Sequence, residues 1–142
     1  MTNKPMEVEM NIRIQAYDID VMGIVSNIVY IRWFEDLRML FLEEHYPYEE
    51  MIATRISPIL IKTEANYKSP LTIHDHPIGT CTIKNMGSSK WEMEFEIKNG
   101  EVLHCKGKQV GCFYNLERKR PSLAPERLLE AWQKAQKDLV EH

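Results

Sequence analysis

"NIVYIRWFEDLRMLFLEEH", residues 27–45, decides the fold. Tyr30, Phe34, Leu37 and Phe41 recur at helical spacing, Trp33 and Leu40 widen the stripe, and Pro47 closes the segment. The period predicts one long helix with a single apolar face. Ahead of it, Val8, Met10, Ile12, Ile14 and Ala16 alternate with Glu9, Asn11, Arg13 and Gln15, which predicts a half-buried strand from Val8 to Tyr17. Behind it, residues 48–54 read as a short helical turn, and Pro58 to Tyr114 reads as strands. Ile59, Ile61, Thr63, Ala65 and Tyr67 alternate, "SPL" at 69–71 breaks the run, and Ile78 to Met86 forms the next strand. "GSS" at 87–89 is a turn. Trp91, Met93, Phe95 and Ile97 then share a face opposite Glu92, Glu94 and Glu96. Asn99-Gly100 predicts a type I′ hairpin, with positive φ at both residues, into a last strand from Val102 to Tyr114. Pro125 suits a first helical position, and Leu128, Trp132, Ala135 and Leu139 make a terminal amphipathic stripe.

The order predicts an α+β domain over residues 1–142: one curved antiparallel sheet of about five strands wrapped around one long helix, with a C-terminal helix. That helix is all that remains to cover the other sheet face and the edges, so a homo-oligomer built on dimers is expected, either a homodimer or a homotetramer. At 142 residues and 44% hydrophobic, the chain has material for one core. A net charge of −3 with interspersed signs argues against nucleic acid or a membrane surface as partner. "MTNKPMEVEM" has no apolar leader segment, and no stretch approaches the roughly 18 apolar residues of a spanning helix, so a cytoplasmic protein is expected. Cys81, Cys105 and Cys112, odd in number and without CxxC spacing, read as small buried hydrophobes in a reducing compartment.

"YDIDVMGIVSNIVY", residues 17–30, sets two aspartates and a glycine ahead of the helix. Asp, Asn and Ser there can cap it. Asp18, Asp20 and Gly23 also match the first, third and sixth places of a calcium loop, but Met22 and Val29 stand where the fifth and twelfth oxygen ligands belong. The third reading is catalytic. A carboxylate beside free helix N–H groups suits attack on a carbonyl, the acid acting as base or nucleophile and the helix start holding the oxyanion.

The pattern D-x-D-x-x-G-x-V-x-N-x-x-Y, present as Asp18, Asp20, Gly23, Val25, Asn27 and Tyr30, resembles the signature of the hotdog-fold acyl-CoA thioesterases of the 4-hydroxybenzoyl-CoA thioesterase type. "ANYKSPL", 65–71, is similar to that family's second strand and its turn, and "NGEVLHCKGKQVGCFYN", 99–115, to its last hairpin and strand. The resemblance covers roughly residues 8 to 120. It implies Asp20 as the catalytic acid and the Asn27 backbone N–H as the group polarising the thioester carbonyl. Such a donor is worth roughly 3 to 4 kcal/mol in other enzymes. Gly23, Ile24, Val25 and Tyr30 are then the expected substrate-binding residues, with Ile24 standing where many members carry His. Asp20 either attacks the carbonyl to give an anhydride or deprotonates the attacking water. Asp18 is expected to cap or orient, and Tyr30 to be core or pocket wall.

The resemblance also implies an acyl-CoA substrate whose pantetheine arm lies in a groove at a subunit interface, and no separate cofactor. Ser88, Ser89 and Lys90 are the first candidates for phosphate contacts, with Arg118, Lys119 and Arg120 second, each against the plainer reading of a solvated turn or charge run. His74, Asp75 and His76 resemble a fragment of a metal site without a fourth ligand and read as a surface loop, so no metal is expected. Cys105 and Cys112 have no base partner and read as inert thiols. Three rivals stand beside thioester hydrolysis: a hydratase, whose histidine is missing before His45; a non-catalytic acyl-CoA-binding module; and an acyl carrier protein thioesterase.

Overall fold

The computed structural model describes residues 6–140. Residues 1–5, which include half of the N-terminal stretch read above for a leader segment, and residues 141–142 lie outside the described residues. Helix α1, Asn27–His45, matches the expected span. Val29, Tyr30, Trp33, Phe34, Leu37 and Phe41 are buried along one side of it, as the 3.6-residue period requires. Fully burying side chains such as Phe34, Leu37 and Phe41 stabilises the fold by roughly 1.5 to 3 kcal/mol each.

The strands are β1 (Val8–Asn11), β2 (Ile56–Tyr67), β3 (Ile78–Met86), β4 (Lys90–Asn99), β5 (Val102–Asn115) and β6 (Arg120–Ser122); α2 is Tyr48–Thr54 and α3 is Glu126–Val140. All pairings are antiparallel, in the order β1-β3-β4-β5-β2, with β6 on β5. The sheet curls around α1 because its inner face is relieved by glycine under the largest side chains. A Cβ on Gly107 would meet the Phe34 ring, which itself stacks on Phe95 at 4.8 Å. Gly79 similarly faces Leu37. This is the expected hotdog architecture, a helix wrapped in its sheet.

Four details depart from the sequence reading. β1 stops at Asn11: its partner β3 begins only at Ile78, and the Ile12 N–H goes instead to Pro77 O at 3.0 Å. Ile12 and Ile14 are nevertheless buried, as the alternation predicts. In β2 a bulge between Leu60 and Lys62 shifts the phase, leaving Ile61 65% exposed while Thr63 and Ala65 face inward opposite Gln109 and Gly107. The hairpin turns on Gly100-Glu101, one residue late, with positive φ only at Gly100, the pattern of a type II′ turn. Asn99 is thereby a strand residue, and its side chain bonds Asp75 Oδ1 and the His76 N–H. Finally, the polar segment after β5 turns at Asn115, whose Oδ1 accepts from Glu117 and Arg118 N–H, and returns as β6.

Candidate active site at the start of α1

Between β1 and α1 the chain makes a 3-10 turn, Ala16–Asp18, and then a tight loop. Asp18 is 7% exposed and structural: its Oδ2 accepts the Gln15 N–H at 2.9 Å and its carbonyl accepts the Ser26 N–H at 2.9 Å. One residue thus ties both ends of the loop. Capping is therefore its role, on the 3-10 turn rather than on α1. Ile19 bridges Val25, and Asp20 N–H donates to Ile24 O at 2.8 Å. Gly23 supplies the bend at φ 81°, a left-handed conformation that side chains resist.

Asp20 stands exposed on this loop. Its Oδ1 accepts from Met22 N–H at 2.8 Å and Ile24 N–H at 3.4 Å, which aims the carboxylate. Oδ2 has no protein partner among the described residues. At the helix start, Val25 N–H goes to Leu71 O and Val29 N–H to Ser26 O, while Ser26 makes no side-chain cap. The N–H groups of Asn27 and Ile28 belong to the first turn, where no carbonyl precedes them to accept, and the helix dipole adds to their pull on an anion.

These donors adjoin a pocket of about 220 Å³ lined by Ile24, Val25, Asn27, Tyr30, Tyr67 and the segment Lys68 to Pro70. Four of the expected residues therefore share one cavity: Ile24, Val25, Asn27 and Tyr30. Gly23 shapes the turn without lining it, and Asp20 sits on the loop that frames it. Tyr67, which the sequence reading passed over, donates its hydroxyl to Asn27 O at 3.1 Å and meets Tyr30 edge-on at 5.4 Å. Burial pushes the Tyr30 hydroxyl up to about 12, so it keeps its proton at neutral pH. Ser69 and its neighbour His104 were missed too. The only sequence signal was "SPL" as a strand break, and nothing in it pointed to a histidine some thirty-five positions later.

Ser88, Ser89 and Lys90 are elsewhere. Ser89 O accepts the Phe113 N–H, whereas the pocket lies at the Tyr67–Cys105 pair, eight residues back along β5 or about 27 Å at strand spacing. Lys90 lines a different cavity of about 510 Å³ with Ile61, Glu92 and Val110 on the sheet face opposite α1. Arg118, Lys119 and Arg120 are exposed at that same distant end, beside Arg55, whose carbonyl accepts the Leu116 N–H.

Among the described residues no group of His, Cys, Asp and Glu is placed to hold a metal. Asp75 instead accepts from Thr72 N–H and Asn99, clamping its loop. Burial raises the thiols of Cys81 and Cys105 to about 12 and about 11, so both stay protonated. Cys112 is half-buried rather than core. No described helix is long and apolar enough to cross a membrane.

A curated protein of Aquifex aeolicus (strain VF5), provisionally named an esterase, is 36% identical over 64 residues, 44% of this chain and 50% of its own. The match thus spans half the length of that relative. A Staphylococcus aureus protein solved in complex with CoA superposes with a TM-score of 0.86 at 14% identity, covering 98% of this chain and 94% of that one. A DHNA-CoA thioesterase from Staphylococcus aureus superposes at 0.77 and 18% identity, covering 95% and 91%. At these identities the structural likeness speaks for the fold. The family model of the thioesterase-like superfamily matches residues 14–132, from the segment after β1 that leads into the Asp20 loop to the middle of α3, and the chain belongs to that superfamily.

Proposed function

We propose that this protein hydrolyses acyl-CoA thioesters, releasing a carboxylic acid and CoA. The carrying observation is the open first turn of α1, with the Asn27 N–H beside a pocket whose framing loop holds the Asp20 carboxylate. The thioester oxygen accepts from Asn27 N–H, and the helix dipole stabilises the charge that develops on it. As base, Asp20 takes a proton from water, the resulting hydroxide adds to the carbonyl, and the tetrahedral adduct expels the thiolate, which is then protonated. As nucleophile, Asp20 adds to the carbonyl and expels the CoA thiolate, which is protonated, to leave an acyl anhydride that water opens to the free acid and the Asp20 carboxylate. The relatives solved with CoA or named for a CoA thioester support CoA over acyl carrier protein as the carrier.

A homodimer belongs to this reading. Among the described residues the 12-residue β2 has one unpaired edge, and a second β2 can add to it antiparallel. A two-fold axis normal to the sheet requires paired residues on one face. Centred on Thr63, it sets Lys62 opposite Glu64 of the partner subunit twice; centred on Lys62 or Glu64, it stacks like charges. The Thr63 register runs the partner subunit's β2 past Tyr67, so the partner subunit's turns at 88–90 and 118–120 approach this pocket. Those turns, remote within one protomer, then become the proposed phosphate contacts. Lys62→Glu is expected to weaken the dimer in sedimentation, and adding Glu64→Lys to restore it; an unchanged dimer in the single variant refutes the register.

Thiol release from short, long and aromatic acyl-CoAs and from an acyl carrier protein thioester, by wild type and Asp20→Asn, tests the activity. Single turnover in H2(18)O tests the nucleophile route, because label found in Asp20 requires an anhydride opened at the Asp20 carbonyl, whereas base catalysis places it in the acid alone. Wild-type binding of acyl-CoA without release of thiol sinks the enzymatic reading and leaves a binding module.

A further inference from the structure

Ser69 and His104 form a pair that the reaction above does not use. Ser69 follows the end of β2 and lines the pocket together with Asn27, Tyr30 and Tyr67. His104, on β5, is 8% exposed, and its Nδ1 lies 2.9 Å from Ser69 Oγ and 3.1 Å from Ser69 O. The backbone fastens the contact, since His104 O accepts both the Lys68 N–H at 2.8 Å and the Ser69 N–H at 3.3 Å.

The carbonyl decides where the histidine proton is. A C=O can only accept, so an unprotonated Nδ1 would set its lone pair against those of Ser69 O; the contacts therefore assign the proton to Nδ1. That N–H points at Ser69 O and, at the shorter distance, at Ser69 Oγ. The hydroxyl accepts from His104 and keeps its own O–H. It has no other partner among the described residues, so this O–H is a free donor on the pocket wall. The same tautomer excludes a serine nucleophile activated by His104, because Nδ1 has no lone pair to take the serine proton.

Little of the remaining wall offers a fixed side-chain donor. Ile24, Val25 and Pro70 carry none, the Tyr67 hydroxyl is held by Asn27 O, and the Tyr30 hydroxyl meets the Leu71 backbone. The Asn27 amide and the Lys68 ammonium also line the pocket but belong to exposed residues, whereas Ser69 is half-buried and held in place by His104. We propose that Ser69, positioned by His104, is a specificity-determining residue that donates a hydrogen bond to a hydroxyl or keto oxygen on the acyl group, beyond the thioester carbonyl itself. This rests on the acyl-CoA reading. A site holding a prepared donor disfavours the acyl group that lacks the matching oxygen, since the donor is then left unpaired.

The test pairs benzoyl-CoA with 3-hydroxybenzoyl-CoA and butanoyl-CoA with 3-hydroxybutanoyl-CoA, using wild type, Ser69→Ala, His104→Asn and His104→Leu, each checked for an unchanged Tm. Wild type is expected to favour at least one oxygen-bearing partner about tenfold or more in kcat/KM. Ser69→Ala should erase that preference by slowing the oxygenated substrate alone. His104→Asn, whose amide N–H replaces Nδ1–H, should retain most of it, and His104→Leu should behave as Ser69→Ala does. Nitrogen-15 NMR of the wild type should show Nδ1 protonated, a signature that a packing role for His104 would not require. Equal slowing of both members of each pair, no slowing of either, no wild-type preference, or a proton on Nε2 alone each overturns the proposal. If wild type releases no thiol at all, the thioesterase reading fails separately. Titration calorimetry with the same pairs then decides for Ser69, and equal Kd ratios in wild type and Ser69→Ala overturn its role.

Discussion

The two ends of α1 are finished in opposite ways. At the C-terminal end, Tyr46 N–H closes the last turn onto Leu42 O at 2.8 Å. The Tyr46 hydroxyl donates to Ile56 O at 2.6 Å and shares a hydrogen bond with Thr54, and buried Leu128 of α3 closes over the same small gap that Phe41 and Leu42 line. At the N-terminal end the cap side chain makes no bond, two first-turn donors are left over, and the neighbouring space is a pocket. The same helix therefore anchors the fold with one end and leaves the other free for a ligand. On the proposed function, groups at the closed end serve stability and those at the open end serve chemistry.

Four substitutions divide those roles, and the largest effect is expected at the open end. Asp20→Asn keeps an oxygen to accept from Met22 and Ile24 N–H, so Tm should hold while kcat falls about a hundredfold or more in the thiol-release assay. A matching fall in Tm would make Asp20 a structural residue. Tyr46→Phe is the mirror image: losing the bond to Ile56 O should cost about 1 kcal/mol in urea titration with kcat/KM unchanged.

His45 carries a smaller, pH-dependent effect at the closed end. Its ring packs on Phe41, its Nε2 is buried without a hydrogen-bond partner among the described residues, with Glu44 Oε2 3.9 Å away, and burial lowers its pKa below 6.5, Glu44 partly opposing. The unfolded chain then takes up the proton more readily than the folded one. Stability should be full above about pH 6.5 and decline as pH falls below it, and His45→Leu should remove that part of the decline. An unaltered slope in the variant would assign the acid loss to other groups. Ser26→Ala should change stability by under about 0.5 kcal/mol, because this N-cap position makes no side-chain bond. A cost near 1 kcal/mol would mean that the open end is capped after all.

Much of this comparison was readable in advance, for a reason specific to each element. The bounds of α1 follow from a strong apolar period closed by Pro47, and β5 from the hairpin glycine. The stretch from Asp18 to Tyr30 announced the loop and the helix start because its spacing is local. The outward turn of Ile61 was not legible, since a one-residue bulge reverses the face without altering the composition of the strand. Nor was β6, whose pairing depends on where Asn115 bends the chain.

The sequence by itself determined what short range controls: which segment is helical, which side of it is apolar, and which acids precede the helix. Only the tertiary structure decided which of two aspartates two residues apart was buried as a tie and which was left at the surface, and it alone brought Ser69 onto His104. The physical reason is that side-chain period and turn chemistry are properties of neighbours along the chain. Strand register, and with it the meeting of a residue on β5 with one beyond the end of β2, is set by how the whole sheet packs around α1.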